Sequence, residues 1–478
     1  MNLTGHPTMK FDTFLPLYNW IYPVGGVPSS KFSGPYASRV LHELQMPKSR
    51  ALYVHIPFCD TICSFCPFVR AADHSPDEVD RYVSALVREI AIKSRIPEIG
   101  GAHIGAVFFG GGTPSVLSPD QIRRIGGALH SAFNLDGCRE FSFEFEAKTA
   151  TNDRVTAARD IGVTHARFGA QTFVPAFREH FRLTASLEDV KRTAELLHTS
   201  FPSASCDVLY GMHGQTEEEL EHDINVACSL GLANLDFYPI NNLVTQPILS
   251  TSFRRDGRRP TSGLTKHYMS RYVRESLRER GYLPHNGHGF VRSVLSNTES
   301  PPLLTSEYSF VYHEHTLGYP GFDLLGFGVN AVSSFPRYVV SNTESRREYV
   351  ASLLDSSTIP MSVTEHPAPV DACRALALAL PYHGEIPVDW IDAAVPDEVR
   401  ARLDQVEAHG LVHRTPESLA LTEDGLAWYA NLMFFLSPAS ERAALASVLH
   451  AATRDPRRSL EPSGLEGLDL RVRLPVSS

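Results

Sequence analysis

Three cysteines, Cys59, Cys63 and Cys66, form a C-x3-C-x2-C run directly after the apolar segment 52–56. Three thiols this close together on one loop cannot all pair with one another as disulfides. Thiolates are the protein ligands of iron–sulfur clusters, and three of them could hold three irons of a [4Fe–4S] cluster. The fourth iron would lack a protein ligand and could bind a small molecule directly. The spacing therefore indicates a metal centre that performs chemistry as well as electron storage.

A zinc site and a chance grouping of thiols are also compatible with the cysteine run. A zinc site normally uses four nitrogen or sulfur ligands, and the nearest histidine, His55, lies within the apolar segment. The three thiols could also be incidental. The other four of the seven cysteines are isolated along the chain. This usage fits a reducing compartment rather than a disulfide-stapled scaffold.

Glycine-rich or polar residues also follow the apolar runs that come next along the chain. Consecutive glycines let backbone groups approach a ligand closely, and acids between aromatic residues are costly to bury unless they bind something. The carboxyl ends of parallel barrel strands meet at one face, and enzymes with a barrel fold have their active sites at that face. The sequence therefore predicts one cavity lined by these segments: Gly110–Pro114, Phe143–Glu146, Arg167–Phe173 with Arg182 beyond it, and Asp207 followed by Gly211–Thr216.

Six short apolar runs that alternate with amphipathic segments supply the strands. Such alternation predicts right-handed βαβ units and a parallel sheet. With six units rather than eight, we expect an α/β fold in the form of an incomplete (β/α)6 TIM-like barrel, open on one side. The predicted strands are Leu52–Ile56, Ala106–Phe109, Phe141–Phe145, Ala166–Gly169, Cys206–Tyr210 and Leu235–Ile240.

Helix-start signals lie between these strands. Ser75 with Pro76 and early acids, and Ser118 with Gln121, are typical N-terminal caps. Further helices are predicted at Asn152–Ile161, Ser186–Thr199 and Glu217–Leu230.

The pattern changes after the barrel, and four units are predicted. Residues 1–50 form an irregular, aromatic N-terminal extension, 51–345 the barrel, 346–440 a winged-helix-like domain and 441–478 a tail. The winged-helix prediction rests on helices at Val370–Leu380, Val399–Gly410 and Glu423–Phe435, with two wing strands at Leu411–Arg414 and Ser418–Thr422.

Charge argues against nucleic acid as a partner. The chain carries a net charge of −10, and residues 346–478 contain 12 Arg, no Lys and 19 Asp or Glu. Such a surface repels phosphate, so the C-terminal domain is expected to cover substrate or serve structure. No signal sequence and no run of 18 apolar residues is visible, so we expect a cytoplasmic protein without a membrane span. A monomer is expected.

The segment Tyr53–Cys59 closely resembles the signature of the radical S-adenosylmethionine (SAM) superfamily. The similarity is to its oxygen-independent coproporphyrinogen oxidase-like (HemN-like) branch and covers roughly Leu52 to Leu436. Further segments resemble family motifs in the same order: Gly110–Pro114, Arg167–Phe173, Tyr210–Thr216 and Leu325–Gly328.

The resemblance implies a role for each matching residue. Cys59, Cys63 and Cys66 would ligate a [4Fe–4S] cluster, and SAM would chelate the fourth iron. A first SAM would be held by Tyr53, Gly111 and Glu144, with Phe65 packed against it. Members of this branch often bind a second SAM, for which the matching residues are Gly112, Thr113, Gln171, Arg182 and Asp207. Arg182 could instead form a surface ion pair, and Asp207 could cap a helix.

The chain departs from the branch at several positions. Phe68 stands where coproporphyrinogen oxidases carry a further cysteine, and His213 replaces a proline of the Tyr210–Thr216 motif. Four histidines lie in two sequence clusters, as His285 with His288 and His313 with His315. His285, His288 and His313 are candidates for a general base, although histidines without catalytic duty would fit the same pattern.

Three functions remain open from the sequence. The first is a class C radical SAM methyltransferase or cyclopropanase, which transfers a carbon from a second SAM to an sp² carbon. High Ala and Arg with scarce Lys suit a natural-product enzyme from a GC-rich genome. The second is a haem-pathway enzyme, either a coproporphyrinogen III dehydrogenase or a haem-degrading methyltransferase, and the third is a haem chaperone. The enzymes would need a small-molecule substrate and a reducing partner such as flavodoxin or ferredoxin.

Overall fold

A single large sheet organises the molecule. The computed structural model describes residues 39–66, 71–241, 247–295, 298–300 and 303–453, together with 10, 11, 14, 15, 17, 22–24, 27, 28 and 245. Within these residues the sheet has 13 strands in the order β1-β15-β14-β13-β12-β2-β3-β4-β5-β6-β7-β9-β8. Its strands are β1 Val27–Pro28, β2 Ser49–Ile56, β3 Ile104–Gly111, β4 Glu140–Phe145, β5 His165–Gln171, β6 Ser203–Tyr210, β7 Asn234–Pro239, β8 Tyr282–Pro284, β9 Gly289–Arg292, β12 Phe322–Phe327, β13 Val332–Phe335, β14 Tyr338–Asn342 and β15 Met361–Glu365.

The centre of the sheet is parallel. Strands β2 to β7 pair in sequence order and match the six predicted strands, although β7 ends at Pro239, one residue before the predicted end at Ile240. A seventh parallel strand, β12, pairs with the outer edge of β2. Antiparallel strands continue both edges, so the sheet does not close, which confirms the α/β, incomplete-barrel architecture.

The seventh strand was not predicted because its partner is distant in the chain. The buried Arg50 on β2 bonds Asp323 on β12 through Nε at 2.7 Å and Nη2 at 2.6 Å. Such a pair resists separation, because removing one partner would leave a buried charge uncompensated.

Helices cover the outside of the parallel strands. Ser75 and Ser118 form the predicted capping boxes, with reciprocal bonds to Glu78 and Gln121. The helices of this unit are Pro76–Lys93, Pro97–Gly100, Pro119–Ala132, Asn152–Asp160, Pro175–Phe181, Leu187–Ser200, Glu217–Ser229, Pro247–Arg255, Gly263–Glu279, Tyr312–Thr316 and Arg346–Asp355. A small hairpin of β10 Thr298–Ser300 and β11 Leu303–Thr305 lies outside the main sheet.

The boundary predicted after residue 345 falls inside the barrel unit. Helix Arg346–Asp355 packs on helix Pro76–Lys93, where the buried Tyr349 hydroxyl donates to Glu89 at 2.5 Å. Strand β15 then pairs with β14. The chain therefore returns to the sheet edge once more before it leaves the barrel.

The C-terminal unit is a helical cluster with a three-stranded sheet, β16 Glu385–Pro387, β18 Ser418–Leu421 and β17 Val412–Arg414. The predicted wing strands are thus present, with a third strand beside them. The segment predicted as helix 370–380 is divided into Ala368–Ala372, a π-helical turn Ala375–Ala379 and Leu380–His383. The other helices are Asp397–Ala408, Glu423–Ala427, Tyr429–Phe435 and Ala439–Thr453.

Helix Ala439–Thr453 corrects the prediction of a tail from residue 441. Leu445 and Leu449 lie one turn apart on it and are buried in the core of the C-terminal unit. The remainder of the predicted tail, 454–478, lies outside the described residues. Phe11 and Phe14 of the N-terminal extension pack on Trp428 of the same unit, at ring-centroid distances of 5.4 and 4.7 Å.

In the described part of the chain, no single helix has the length and apolar composition needed to cross a membrane. One pair, Tyr429–Phe435 with Ala439–Leu449, meets the requirement on length and composition only, and its two halves are bent by 120°.

Candidate active site

The cysteine loop leaves the carboxyl end of β2 and is held in place by its backbone. Cys59 N–H donates to the Ala71 carbonyl at 3.0 Å. Ser64 donates through its N–H to the Phe181 carbonyl at 3.1 Å and through its hydroxyl to the His180 carbonyl at 2.6 Å. The loop is thus fastened to helix Pro175–Phe181. Phe68, where coproporphyrinogen oxidases have a further cysteine, lies outside the described residues.

The donor set of this loop fits a [4Fe–4S] cluster. Cys59, Cys63 and Cys66 are all thiols rather than disulfides, the first buried and the others half-buried. In the described part of the chain, no three His, Cys, Asp or Glu side chains converge on the position of a single ion. A zinc site requires such convergence, whereas a cluster binds each thiolate through a different iron. The Thr113 hydroxyl lies 3.5 Å from Cys59 Sγ.

The glycine run at the end of β3 packs directly against this loop. Gly112 N–H donates to the Ile56 carbonyl at 2.7 Å. A Cβ on Gly112 would lie 2.6 Å from the Phe58 carbonyl oxygen and 3.0 Å from Cys59 Sγ. Gly111 has φ +110°, and a Cβ there would lie 2.5 Å from His55 Nδ1. A side chain at position 112 would displace the cysteine loop, and one at position 111 would displace His55, so close packing explains both glycines.

The structure brings together the three residues predicted to hold the first SAM. Glu144 on β4 accepts from the Gly111 N–H, and burial, with the charge of Asp207 adding to it, raises the pKa of Glu144 to about 8. The Tyr53 hydroxyl lies 3.0 Å from His55 Nδ1. Burial, with Glu144 as a further cause, raises the pKa of Tyr53. A cation beside Glu144 would stabilise the ionised carboxylate and so offset the free-energy cost of a buried negative charge.

The raised pKa of Glu144 makes the stability of the SAM-free protein depend on pH. The folded protein keeps the proton between about pH 4.5 and pH 8, where the unfolded chain has lost it. The protonated Glu144 therefore makes its full contribution to the stability of the folded state below about pH 4.5. This contribution is lost as the pH rises towards about 8. We expect Glu144→Gln, which cannot ionise, to have a higher Tm than wild type above about pH 8, with no difference near pH 4.5. Thermal unfolding across this range checks it, with exposed Glu195→Gln as control; a pH-independent difference would contradict it.

Arg167 joins two carboxylates inside the barrel. Its Nη2 donates to Asp207 on β6 at 3.1 Å and to Asp236 on β7 at 2.8 Å. Burial raises the pKa of both aspartates, and Arg167 opposes that rise. Asp207 is the more exposed partner, at 26% against 1% for Asp236. Asp207 therefore faces the lumen, where a ligand can reach it, and it lies within a strand rather than capping a helix.

Phe65, Arg182 and Gln171 are further residues predicted to hold SAM. Phe65 packs on Phe181 at a ring-centroid distance of 4.9 Å. Arg182 follows directly in the left-handed conformation, at φ +57°, with its side chain exposed. Gln171 ends β5 at φ +67° and folds back over Gly169. Their roles towards SAM remain predictions.

The two histidine clusters meet through a residue of the C-terminal unit. The Tyr382 hydroxyl lies 3.1 Å from His288 Nε2 and 2.8 Å from His313 Nδ1. His315 is separate from them and instead contacts the Ser49 hydroxyl at 2.8 Å. Burial lowers the pKa values of His288 and His313, and it lowers that of His285 to about 3. The three imidazoles are therefore neutral at pH 7, and burial makes them weaker bases than an exposed histidine.

Four residues at this site were not predicted as site residues: Arg167, Asp236, Tyr238 and Tyr382. Arg167 lies in the Arg167–Phe173 motif, but its partner Asp236 is 69 residues away and carries no local signal. The ring centroids of Tyr238 and His288 are 4.1 Å apart, and Tyr238 lies two residues after Asp236 on β7. Tyr382 follows an apolar helix of another unit. The alternation of strand side chains places Asp236 and Tyr238 on one face of β7, which is the signal that could have found them.

Comparisons with known proteins agree with this site. The sequence model of the Radical SAM superfamily matches residues 53–227. Anaerobilin synthase of Escherichia coli O157:H7 is 31% identical over 44% of this chain and 47% of that protein. The heme chaperone HemW of Bacillus subtilis is 30% identical over 41% of this chain and 51% of that protein. The chain thus spans about half the length of these curated relatives.

A solved structure covers more of the chain. Coproporphyrinogen III oxidase (HemN) from Escherichia coli, a radical SAM enzyme, aligns with 87% of this chain and 97% of its own, at a TM-score of 0.68 and 20% identity. This likeness establishes the shared fold.

The matched segment contains every residue predicted to hold a cluster or SAM, from Tyr53 to Asp207. Residues 53–227, which include the cysteine loop, are thus similar to the Radical SAM superfamily, which uses a [4Fe–4S] cluster and SAM, and the fold is that of coproporphyrinogen III oxidase (HemN). Oxygen-independent coproporphyrinogen III oxidase of Bradyrhizobium diazoefficiens is 27% identical over 67% of this chain and 70% of that protein.

Proposed function

We propose that this protein transfers a carbon from the methyl group of a second SAM molecule to an sp² carbon of a small specialised metabolite. The product is methylated or cyclopropanated. The first SAM is the radical source, and the cluster, when reduced, supplies the electron that cleaves it to a 5′-deoxyadenosyl radical. A reducing partner such as flavodoxin or ferredoxin delivers that electron.

The charge of the barrel lumen is the observation that carries this proposal. Asp236 is a buried carboxyl group, Glu144 and Asp207 are half-buried, and Arg167 already binds both aspartates. A lumen of this kind favours cationic ligands, and each SAM carries a sulfonium and an ammonium group. Coproporphyrinogen instead carries propionate side chains, which the carboxylates of Asp207 and Asp236 would repel.

The chain's own residues divide into two SAM sites in this proposal. Tyr53, Gly111 and Glu144 hold the first SAM, and Phe65 packs on it. Thr113, Gln171, Arg182 and Asp207 hold the second, with Gly112 between the two. Asp207 can accept from ribose hydroxyls, and the planar guanidinium of Arg182 suits a carboxylate.

Carbon transfer also needs a base, and the histidines supply candidates. His288 is buried and His313 is half-buried, both are neutral at pH 7, and both contact Tyr382. A neutral imidazole next to the product-forming carbon can take its proton.

A haem-pathway activity is the second candidate, and the names of the relatives favour it. Anaerobilin synthase, a heme chaperone and coproporphyrinogen III oxidase are all similar to this chain. Phe68, in place of the further cysteine of the oxidases, argues against that activity.

Loss of Asp207 or Arg182 tests the second SAM site. We expect wild type to bind two SAM molecules per chain, and Asp207→Ala or Arg182→Ala to weaken one of them. A charge-assisted hydrogen bond contributes about 1.5–3 kcal/mol, so that affinity should fall roughly 10- to 100-fold. Equilibrium dialysis of the cluster-loaded protein with labelled SAM measures both the number of sites and their affinities.

Iron content provides the control for these variants. Both should assemble the cluster normally, because neither side chain is a thiol, and Lys191→Ala on an exposed helix face should bind SAM as wild type does. A single SAM per wild-type chain, or a collapse of iron content in either variant, would contradict the assignment.

A further inference from the structure

Strand β5 ends in a short arch of residues 170–173, the Gln171 arch. Strand β5 pairs Gly169 with Asp207 of β6, and the register then shifts before Gln171, so that Ala170 is an extra residue. A bulge of this kind re-aims the side chains beside it. A Cβ on Gly169 would collide with the side-chain amide of Gln171. The missing side chain of Gly169 thus leaves the room, next to Asp207, that this amide occupies.

The backbone conformation of Gln171 needs support from its surroundings. Its φ is +67°, and the Thr172 N–H donates to the Ala170 carbonyl at 2.8 Å, which closes a three-residue turn around Gln171. A turn of this form with a positive φ is rare and strained. Such a conformation persists only where neighbouring groups hold it in place.

A buried carboxylate of helix Glu217–Ser229 holds one side of the Gln171 arch. Asp223 is completely buried. Its Oδ1 accepts from the Phe173 N–H at 2.6 Å, and its Oδ2 accepts from the Thr172 hydroxyl at 2.9 Å. Burial raises the pKa of Asp223 to about 7, and these two donors oppose the rise. The two bonds therefore favour the ionised carboxylate, which accepts from both donors.

A buried guanidinium holds the other side of the Gln171 arch. Arg178 Nη1 donates to the Ala170 carbonyl at 3.2 Å and to the Thr172 carbonyl at 2.8 Å. Its Nη2 donates to the Ala185 carbonyl, three residues after Arg182. The planar fork of one guanidinium can bond groups on two sides at once. Arg178 therefore connects the arch with the segment that carries Arg182.

We propose that Asp223 and Arg178 are positioning residues for the second SAM, because together they fix Gln171 and Arg182 relative to each other. The proposal rests on the proposed function, in which Gln171 and Arg182 hold that SAM. Asp223 and Arg178 act through the backbone and do not touch the ligand. Without them, Gln171 relaxes to a negative φ and its amide leaves the position beside Asp207. SAM then binds only the fraction of the protein in which the arch is formed.

Replacing Asp223 by alanine is expected to weaken the second SAM site about 10-fold and to leave the first unchanged, since relaxation of one strained residue lowers the competent fraction by about that factor. Asp223→Asn keeps an acceptor oxygen for both donors, and its affinity should stay within about 2-fold of wild type. If Asp223→Ala does not fold, Thr172→Val, which removes only the hydroxyl of the arch, carries the same expectation.

Equilibrium dialysis of the cluster-loaded protein with labelled SAM measures the affinities of both sites. Electron paramagnetic resonance of the reduced cluster reports the first site separately, since the first SAM binds iron directly. The matched control is Thr193→Val. Thr193 is as deeply buried as Thr172, and its hydroxyl donates to the Ala147 carbonyl at 3.1 Å, outside the arch. This variant should bind both SAM molecules as wild type does.

A double-mutant cycle separates positioning from general loosening. If Asp223 acts through Gln171, Asp223→Ala should have little further effect on the second site once Gln171→Ala is present. Arg178→Lys keeps the charge but loses the fork. It should weaken the second site in both backgrounds, because Arg178 also positions Arg182.

Two results would overturn the positioning role alone: two SAM molecules bound with wild-type affinity by folded Asp223→Ala, or losses in the cycle that simply add. Equal weakening of both SAM sites would also overturn it, because a structural defect would act in that way. A single SAM per wild-type chain would overturn the proposed function together with this role, so the two failures are distinguishable.

Discussion

Replacing any one of Cys59, Cys63 and Cys66 by alanine is expected to abolish the formation of 5′-deoxyadenosine from SAM. The three thiols are the donor set of one loop, and the loop is fastened by Ser64 to helix Pro175–Phe181. Loss of one thiolate leaves an iron without its protein ligand, and the remaining two cannot hold an oxygen-sensitive [4Fe–4S] cluster in place. Anaerobic assays of 5′-deoxyadenosine, with iron and sulfide analysis of the purified variants, measure both consequences.

Cys228→Ala is the matched control for this prediction. Cys228 is a half-buried thiol on helix Glu217–Ser229, outside the cysteine loop. The variant should keep wild-type iron and wild-type SAM cleavage. Continued production of 5′-deoxyadenosine by the triple variant of Cys59, Cys63 and Cys66 would contradict the assignment of a catalytic cluster to this loop.

Signals contained in short segments predicted much of this structure. The apolar runs that became β2 to β7 and the caps at Ser75 and Ser118 are read from a few adjacent residues, and all were found. The cysteine loop and Gly111 were predicted in the same way. Their geometry follows from neighbours in the chain and from the order of successive parallel strands.

Features that depend on distant partners were not predicted. Strand β12 pairs with β2, from which it is about 270 residues distant in the chain, and the buried pair Arg50 and Asp323, 273 residues apart, joins the two strands. The ion pair of Arg167 with Asp236 joins residues that are far apart in the chain. The two histidine clusters are brought together by Tyr382, which belongs to another unit. Helix Ala439–Thr453 was predicted as a tail because its apolar face is narrow, consisting of Leu445 and Leu449. In each case the missing information was a tertiary contact.

The central claim is that the second SAM donates the carbon, and the hydrogen that enters 5′-deoxyadenosine reports on it directly. With two SAM molecules in one lumen, the 5′-deoxyadenosyl radical is expected to take hydrogen from the methyl group of the second. Each carbon transferred then yields one 5′-deoxyadenosine and one S-adenosylhomocysteine. A decarboxylase of coproporphyrinogen takes hydrogen from a propionate side chain of its substrate instead.

The decisive measurement is mass spectrometry of 5′-deoxyadenosine formed by the reduced, cluster-loaded enzyme from SAM with a CD₃ methyl group. The enzyme is incubated with this SAM alone and with coproporphyrinogen III added. We expect deuterium in the 5′-deoxyadenosine under both conditions and no CO₂ from the porphyrinogen. Unlabelled 5′-deoxyadenosine, accompanied by CO₂ when coproporphyrinogen III is present, would contradict carbon transfer and establish the haem-pathway reaction in its place.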